Sequence, residues 1–300
     1  METIASLKPY DKTESKLLGS ALRRNIIRLN QGESQICSDL LAVEEPLEIR
    51  LDSKGREGRQ QKSISITMRT PGHDYDLATG FLFTEGLIQS VNQIEKISHC
   101  GPVQPHLGHS NVVKVTLADD VTLDLDRLQR HFYTSSSCGV CGKSSIEALR
   151  TQSLFPKSVS SFEVTSALIQ TLPDKLRQAQ AIFDSTGGLH ASALFDSSGR
   201  LQTLREDVGR HNALDKVLGH SIFELPLRES ILMLSGRISF ELVQKAVMAR
   251  IPIIAAVGAP SSLAVELAES EDVTLIGFLR GERFNIYTGS QRILTGSHLL

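Results

Sequence analysis

From Ser230 to Phe278 the chain alternates short apolar runs with amphipathic segments, and this alternation restricts the fold more than any other feature. Ser230–Leu234, Pro252–Val257 and Val273–Phe278 read as buried strands, with Phe240–Ala249 and Ser262–Ala268 as the helices between them. Strand, helix, strand, helix, strand with short connections predicts a mainly parallel sheet covered by helices. Ligands of such sheets sit at the carboxyl ends of the strands. Upstream, Leu189–Phe195 and Leu201–Leu204 read as short strands and His211–Leu218 as a helix. Phe162–Ala181 reads as mostly helical, with Pro173 marking a break or a new start.

The first part of the chain follows a different pattern. Leu47–Leu51 and Ser63–Met68 alternate with period two and predict strands around an exposed, charged, Gly-containing loop. Leu77–Ile88 carries apolar residues at helical spacing. Val112–Leu117 and Val121–Leu125 predict a hairpin around Ala118-Asp119-Asp120. The expected organisation is a flexible tail over 1–20, an α+β domain over 21–130, and a larger α/β domain over 131–300.

Composition narrows the function classes. The 300 residues include 40% apolar types, enough for a sizeable core. With 32 Lys and Arg against 34 Asp and Glu, the net charge is −2, which argues against a nucleic-acid partner held through its phosphates. No N-terminal apolar segment of signal-peptide length is present, and the apolar run Ile251–Ala259 is too short to span a bilayer, so a cytoplasmic setting without membrane contact is expected. Four cysteines are too few for a disulfide scaffold, so each one is a question of chemistry.

Cys138-Gly-Val-Cys141 is the sharpest motif. Ser135–Ser137 could cap a helix and place the pair near its N-terminus, where peptide dipoles and Lys143 would favour a thiolate. Such a pair can cycle through a disulfide, share a metal, or present one nucleophile with a resolving partner. Cys37 and Cys100 do not form a second CxxC, so a four-thiolate zinc site fails on spacing. They are expected to be plain buried small residues. A mixed site with His99, His131 or His211 is the weaker metal option. A nucleobase-deaminase site fails as well: no His is followed two positions later by Glu, and Ser137 stands where Pro is required. Thioredoxin-like chemistry fits poorly, because the pair follows a polar stretch rather than an apolar strand.

Three further constellations carry weaker signals. Arg205–Lys216 packs charge, Gly and His into a strand-to-helix turn, where Arg210, His211 and Lys216 could meet a phosphate or a reactive sulfur. Ser185–His190 is a Gly-Gly loop entering a strand, and Ser235-Gly-Arg237 lies between a buried strand and a helix, a favourable place for an anion. Phe278-Leu279-Arg280-Gly281-Glu282-Arg283 reads either as a charged hairpin turn or as a pair of bidentate donors for pyrophosphate. No Walker-type loop or strand–GxGxxG–helix unit occurs, so an ordinary nucleotide-hydrolysing or Rossmann site is not indicated.

CGVCG, REDVGRHNALDK, SGRISFELVQKA, APSSLAVELA and the ending TLIGF with the following Arg residues and NIYT together resemble the formate dehydrogenase accessory sulfurtransferase family, FdhD. The likeness runs from about Glu44 to Arg292. Arg250 and Gly258 depart from it, standing where Gly and Ser are expected.

The resemblance implies a three-layer α/β/α, cytidine-deaminase-like C-terminal domain with a smaller α+β N-terminal domain. It implies a persulfide on Cys138, with Cys141 assisting or relaying. It implies a cysteine desulfurase as sulfur donor and formate dehydrogenase as client. The substrate would be its molybdenum cofactor, Mo-bis(molybdopterin guanine dinucleotide), contacted by Phe278, Leu279, Arg280, Gly281, Glu282 and Arg283. A homodimer and no intrinsic metal are expected. A thiol–disulfide oxidoreductase and a zinc-stabilised adaptor are the alternative functions.

Overall fold

The structure, a computed structural model, describes residues 17–55, 58–121, 123, 155, 156 and 161–295. It opens on an antiparallel arm of β1 (Leu17–Leu18), β2 (Ala21–Asn30) and β3 (Glu33–Ala42). A four-stranded sheet follows, from β4 (Glu45–Gly55), β5 (Gly58–Arg69), β6 (Ile94–His99) and β7 (Val112–Leu117), in the order β5-β4-β7-β6. The period-two pattern is realised in β4, which buries Leu47, Ile49 and Leu51 on one face.

β7 pairs parallel with β4 and antiparallel with β6, so both its edges are taken. Residues 122, 124 and 125 of the strand expected at Val121–Leu125 lie outside the described residues. One local reading is corrected here. Helix α1 (Asp74–Thr84) starts and stops earlier than the apolar spacing suggested. Gly86 takes a φ of 72°, its N–H donates to the Phe83 carbonyl at 2.9 Å, and the Leu87 N–H donates to the Leu82 carbonyl at 2.8 Å. That left-handed cap ends the helix before Leu87 and Ile88, which still join the core.

After β8 (Val164–Thr165), helix α2 (Ser166–Ala179) runs through Pro173 without a break. Its apolar face, Ile169, Leu172 and Leu176, is buried and holds the helix across the missing N–H. The remaining elements are α3 (Ala181–Thr186), β9 (His190–Phe195), β10 (Leu201–Asp207), α4 (Arg210–His220), β11 (Ile231–Leu234), α5 (Phe240–Met248), β12 (Ile253–Ala256), α6 (Ser262–Ser270), β13 (Thr274–Arg280), β14 (Arg283–Thr288) and β15 (Ile293–Leu294). Six strands form one mixed sheet in the order β10-β9-β11-β12-β13-β14. Its centre, β11-β12-β13, is parallel, as the alternation required, and β9, β10 and β14 are antiparallel to their neighbours.

Side-chain alternation divides this sheet between two apolar clusters. Leu232, Leu234, Ile254 and Ala256 join one with Leu214, Val217 and Leu218 of α4, residues of α5 and α6, and α1. Ile231, Met233, Ile253 and Ala255 join the other with α2. The first cluster also takes in Leu47, Ile49 and Leu51 of β4 and Val113, Val115 and Leu117 of β7, so a continuous core links the four-stranded and six-stranded sheets. Arg250, where the resemblance leads to an expectation of Gly, has a left-handed φ of 58°. Its guanidinium donates to the Phe155 carbonyl at 2.8 Å and lies 3.3 Å from Glu271, which offsets the backbone cost.

Candidate functional site

Most of the polar residues singled out in the second part of the sequence meet at one edge of the six-stranded sheet. β9 and β10 are antiparallel, with His190 opposite Asp207. β9 is also antiparallel to β11, so His190 lies beside the carboxyl end of β11. The turns after β11 and β12 touch there: a Cβ on Gly258 would fall 2.7 Å from the Gly236 carbonyl oxygen and 2.9 Å from the Arg237 backbone. The Phe278 N–H donates to the Gly258 carbonyl at 3.0 Å and brings β13 to the same edge.

His190 sits in a cationic setting. Burial first, and then the charges of Arg210, His211 and Arg237, hold its imidazole below the ordinary value, with Asp207 opposing them. It is therefore neutral near pH 7. His211, in the first turn of α4, reaches Glu241 in the first turn of α5, Nε2 to Oε2 at 2.7 Å, and lies 3.4 Å from the Ser239 hydroxyl. Among the described residues, Arg210 Nε and Glu241 Oε1 are buried without a hydrogen-bond partner, an expensive state for charged groups. Fixed cations around a neutral imidazole suit an anion, stabilise a thiolate or persulfide, and allow a proton to move on and off His190.

A cleft of about 520 Å³ opens beside this edge, lined among others by Arg177, Gln180, Gly187, Gly188, His190 and Val257. Gln180 Nε2 is buried there without a hydrogen-bond partner among the described residues. The Gly-Gly loop is held from below: the two carboxylate oxygens of Glu206 accept the N–H groups of Ile182 and Phe183 at 3.0 and 2.8 Å, anchoring the start of α3.

Lys216 is not part of the site. Its Nζ lies 2.7 Å from Asp207 and donates to the Thr70 carbonyl at 2.8 Å, with both side chains withdrawn from solvent. Asp207 also accepts from the N–H groups of Thr70 and Gly209 and from the Asn212 amide. A buried carboxylate needs a partner, and Lys216 is consumed in supplying it. The Arg205–Lys216 run thus divides: Arg210 and His211 face the site, and Asp207 and Lys216 brace the turn that carries them.

Phe278–Arg283 forms the β13–β14 hairpin. Phe278 adopts a left-handed φ of 53° and is exposed, while Leu279 is buried in the α2-side core. Arg280 pairs with Arg283 across the Gly281-Glu282 turn, and both Arg residues are exposed. The Glu282 carbonyl accepts from Gln170 of α2 at 2.8 Å. Cys138, Cys141 and Lys143 lie outside the described residues. Cys37 and Cys100 are partly exposed free thiols rather than fully buried ones. Sequence reasoning did not single out Glu241, Ser239, Arg177 or Gln180. Only the position of Glu241 in a first helical turn could have flagged it.

The FdhD/NarQ family profile matches residues 42–294. The chain belongs to the FdhD/NarQ family. Curated relatives agree with this: a protein of Mycolicibacterium paratuberculosis named sulfur carrier protein FdhD is 49% identical over 274 residues, covering 90% of this chain and 98% of that one. Its namesake in Streptomyces coelicolor is 48% identical, covering 90% and 95%. A more distant namesake, in Saccharolobus solfataricus, is 41% identical, covering 90% and 97%. A crystal structure from Desulfotalea psychrophila, described as a formate dehydrogenase accessory protein, superposes with a TM-score of 0.65 at 25% identity, covering 91% of this chain and 99% of that one. The FdhD/NarQ match begins at the end of the β2–β3 arm and takes in both larger sheets. No helix among the described residues is long and apolar enough to cross a membrane.

Proposed function

We propose that this FdhD/NarQ-family protein carries sulfur on Cys138, taking it from a cysteine desulfurase in the cytoplasm. The observation that carries the reading is the CxxC pair in a chain nearly half identical to proteins named sulfur carriers. In the loading step the Cys138 thiolate attacks the outer sulfur of the donor persulfide. A new S–S bond forms on Cys138, the donor's S–S bond breaks, and the donor leaves as a thiolate. In the release step Cys141 attacks the inner sulfur, forms a Cys138–Cys141 disulfide, and frees the outer sulfur as hydrosulfide. The substrate that receives it is the Mo-bis(molybdopterin guanine dinucleotide) cofactor of formate dehydrogenase.

Three features support a pyrophosphate-bearing substrate on this chain. The carboxyl edge of the sheet is cationic, Arg210 and Gln180 each keep a buried donor unpaired, and Arg280 and Arg283 stand exposed on the adjoining hairpin. We read the six-stranded sheet as a cytidine-deaminase-like three-layer domain, on its strand order and on the helices packed against its two faces. A homodimer handling two pterins per assembly completes the reading. The experiment loads the full chain with a cysteine desulfurase and cysteine, then weighs the peptide holding Cys138 and Cys141. Added sulfur on that peptide, lost in Cys138→Ala, is the expected result. No added sulfur on that peptide overturns the reading.

A further inference from the structure

We propose that Asp74, His99 and His109 bind a divalent first-row transition-metal ion. The three come from separate elements. Asp74 opens α1, His99 ends β6, and His109 lies in the loop before β7. Each residue brings a donor atom within 4.8 Å of the other two. Asp74 is buried and both imidazoles are partly buried, at a cavity of about 300 Å³ that Gly72, His73 and Tyr75 also line.

The surrounding bonds prepare these side chains as ligands. The His99 and His109 rings stack at 4.1 Å between centroids, 25° apart. The Ser110 carbonyl oxygen lies 2.9 Å from Nδ1 of His99 and 3.1 Å from Nδ1 of His109. A carbonyl only accepts, so each ring places its proton on Nδ1 and keeps a lone pair on Nε2. A backbone carbonyl on the far nitrogen is the arrangement that orients metal-binding histidines.

Asp74 is oriented in the same way. Nε and Nη2 of the fully buried Arg69 each donate to one of its oxygens at 2.9 Å, and Arg69 is itself tied to Asn111. Each carboxylate oxygen keeps a second lone pair for a cation. Two imidazoles and one carboxylate, without thiolate, select borderline ions such as zinc, nickel, cobalt or ferrous iron over calcium or magnesium. Three protein ligands beside a cavity leave coordination positions for water or a small anion. The expectation of no intrinsic metal came with the family resemblance, and this cluster uses no cysteine.

The test titrates the full chain with Co²⁺ and then competes with Zn²⁺. One Co²⁺ should bind with visible d–d bands and without a sulfur-to-cobalt charge-transfer band, both in the wild type and in Cys138→Ser/Cys141→Ser. His99→Gln and His109→Gln should each weaken binding by more than about tenfold. Zn²⁺ should raise the Tm of the wild type and leave both variants unchanged. Circular dichroism checks that the variants are folded, and if one is not, the other decides. The proposal is overturned if the wild type shows no saturable binding, if the spectrum is that of thiolate ligation and vanishes with the two cysteines, or if a folded His variant binds as tightly as the wild type.

Discussion

Gly80 of α1 and Gly219 of α4 face each other where the two helices cross in backbone contact. A Cβ on Gly80 would lie 1.9 Å from the Asp215 carbonyl oxygen, and one on Gly219 would lie 1.9 Å from the Asp76 carbonyl oxygen. Both obstacles are backbone, so neither can swing aside. Gly80→Ala and Gly219→Ala should each cost about 3 kcal/mol, at the upper end of overpacking effects, read as a lower urea midpoint at unchanged m-value. Because α4 carries Arg210 and His211 in its first turn, both variants should also move the His190 ring signal in an NMR spectrum. A substitution that leaves the midpoint untouched would show that the helices are free to separate.

The Asp207–Lys216 pair ties the same helix to the end of β5. Lys216 donates to the Thr70 carbonyl, Asp207 accepts the Thr70 N–H, and Asn212 bridges Met68 and Thr67. Lys216→Met strands a buried carboxylate and should cost about 3–5 kcal/mol. Asp207→Asn/Lys216→Met removes both charges and should recover part of that loss. Chemical denaturation of the wild type, Lys216→Met, Asp207→Asn and the double variant closes the cycle. Equal losses in Lys216→Met and the double variant would show that the charge pairing contributes nothing.

The fold was legible wherever a residue's neighbours in sequence are also its neighbours in space. The apolar runs from Ser230 to Phe278 gave β11, β12 and β13 to within two residues, because strands buried on both faces are continuously apolar. Spacing overshot at α1, where a left-handed Gly86 ends the helix inside an unbroken apolar pattern. It also failed at Pro173, where burial of Leu172 and Leu176 outweighs the lost hydrogen bond. The site was legible in its residue types and illegible in its division of labour. Lys216 and Arg210 look alike in sequence, and only the distant Thr70, 146 positions from Lys216, shows that one is structural. The Asp74–His99–His109 cluster had no local signal, since its members lie on three elements.

The β13–β14 hairpin bears on the substrate. Arg280 and Arg283 are exposed and opposite each other, so removing one leaves the Leu279 core contact intact. Arg280→Ala should therefore weaken binding of a guanine nucleotide about tenfold, the value of a single charge-assisted hydrogen bond, with no change in Tm. Calorimetric titration with GDP reads the first quantity and a thermal melt the second. Unchanged affinity would remove Arg280 from the proposed pyrophosphate site.

His190 sets the pH response of the site. Its imidazole is held below the ordinary value first by burial and next by Arg210, His211 and Arg237. In the unfolded chain the same ring titrates near about 6.5. Below that pH the unfolded chain takes up a proton that the native protein does not, so the unfolded state binds more protons and stability falls as pH drops from about 6.5 towards the lower native value. Replacing His190 with Gln should flatten that part of the stability–pH curve. Arg210→Gln should raise the His190 value by removing the largest neighbouring charge, while burial keeps it below the ordinary one. Chemical-shift titration of the ring gives both values directly, and a His190 that titrates like a free imidazole would contradict the cationic edge.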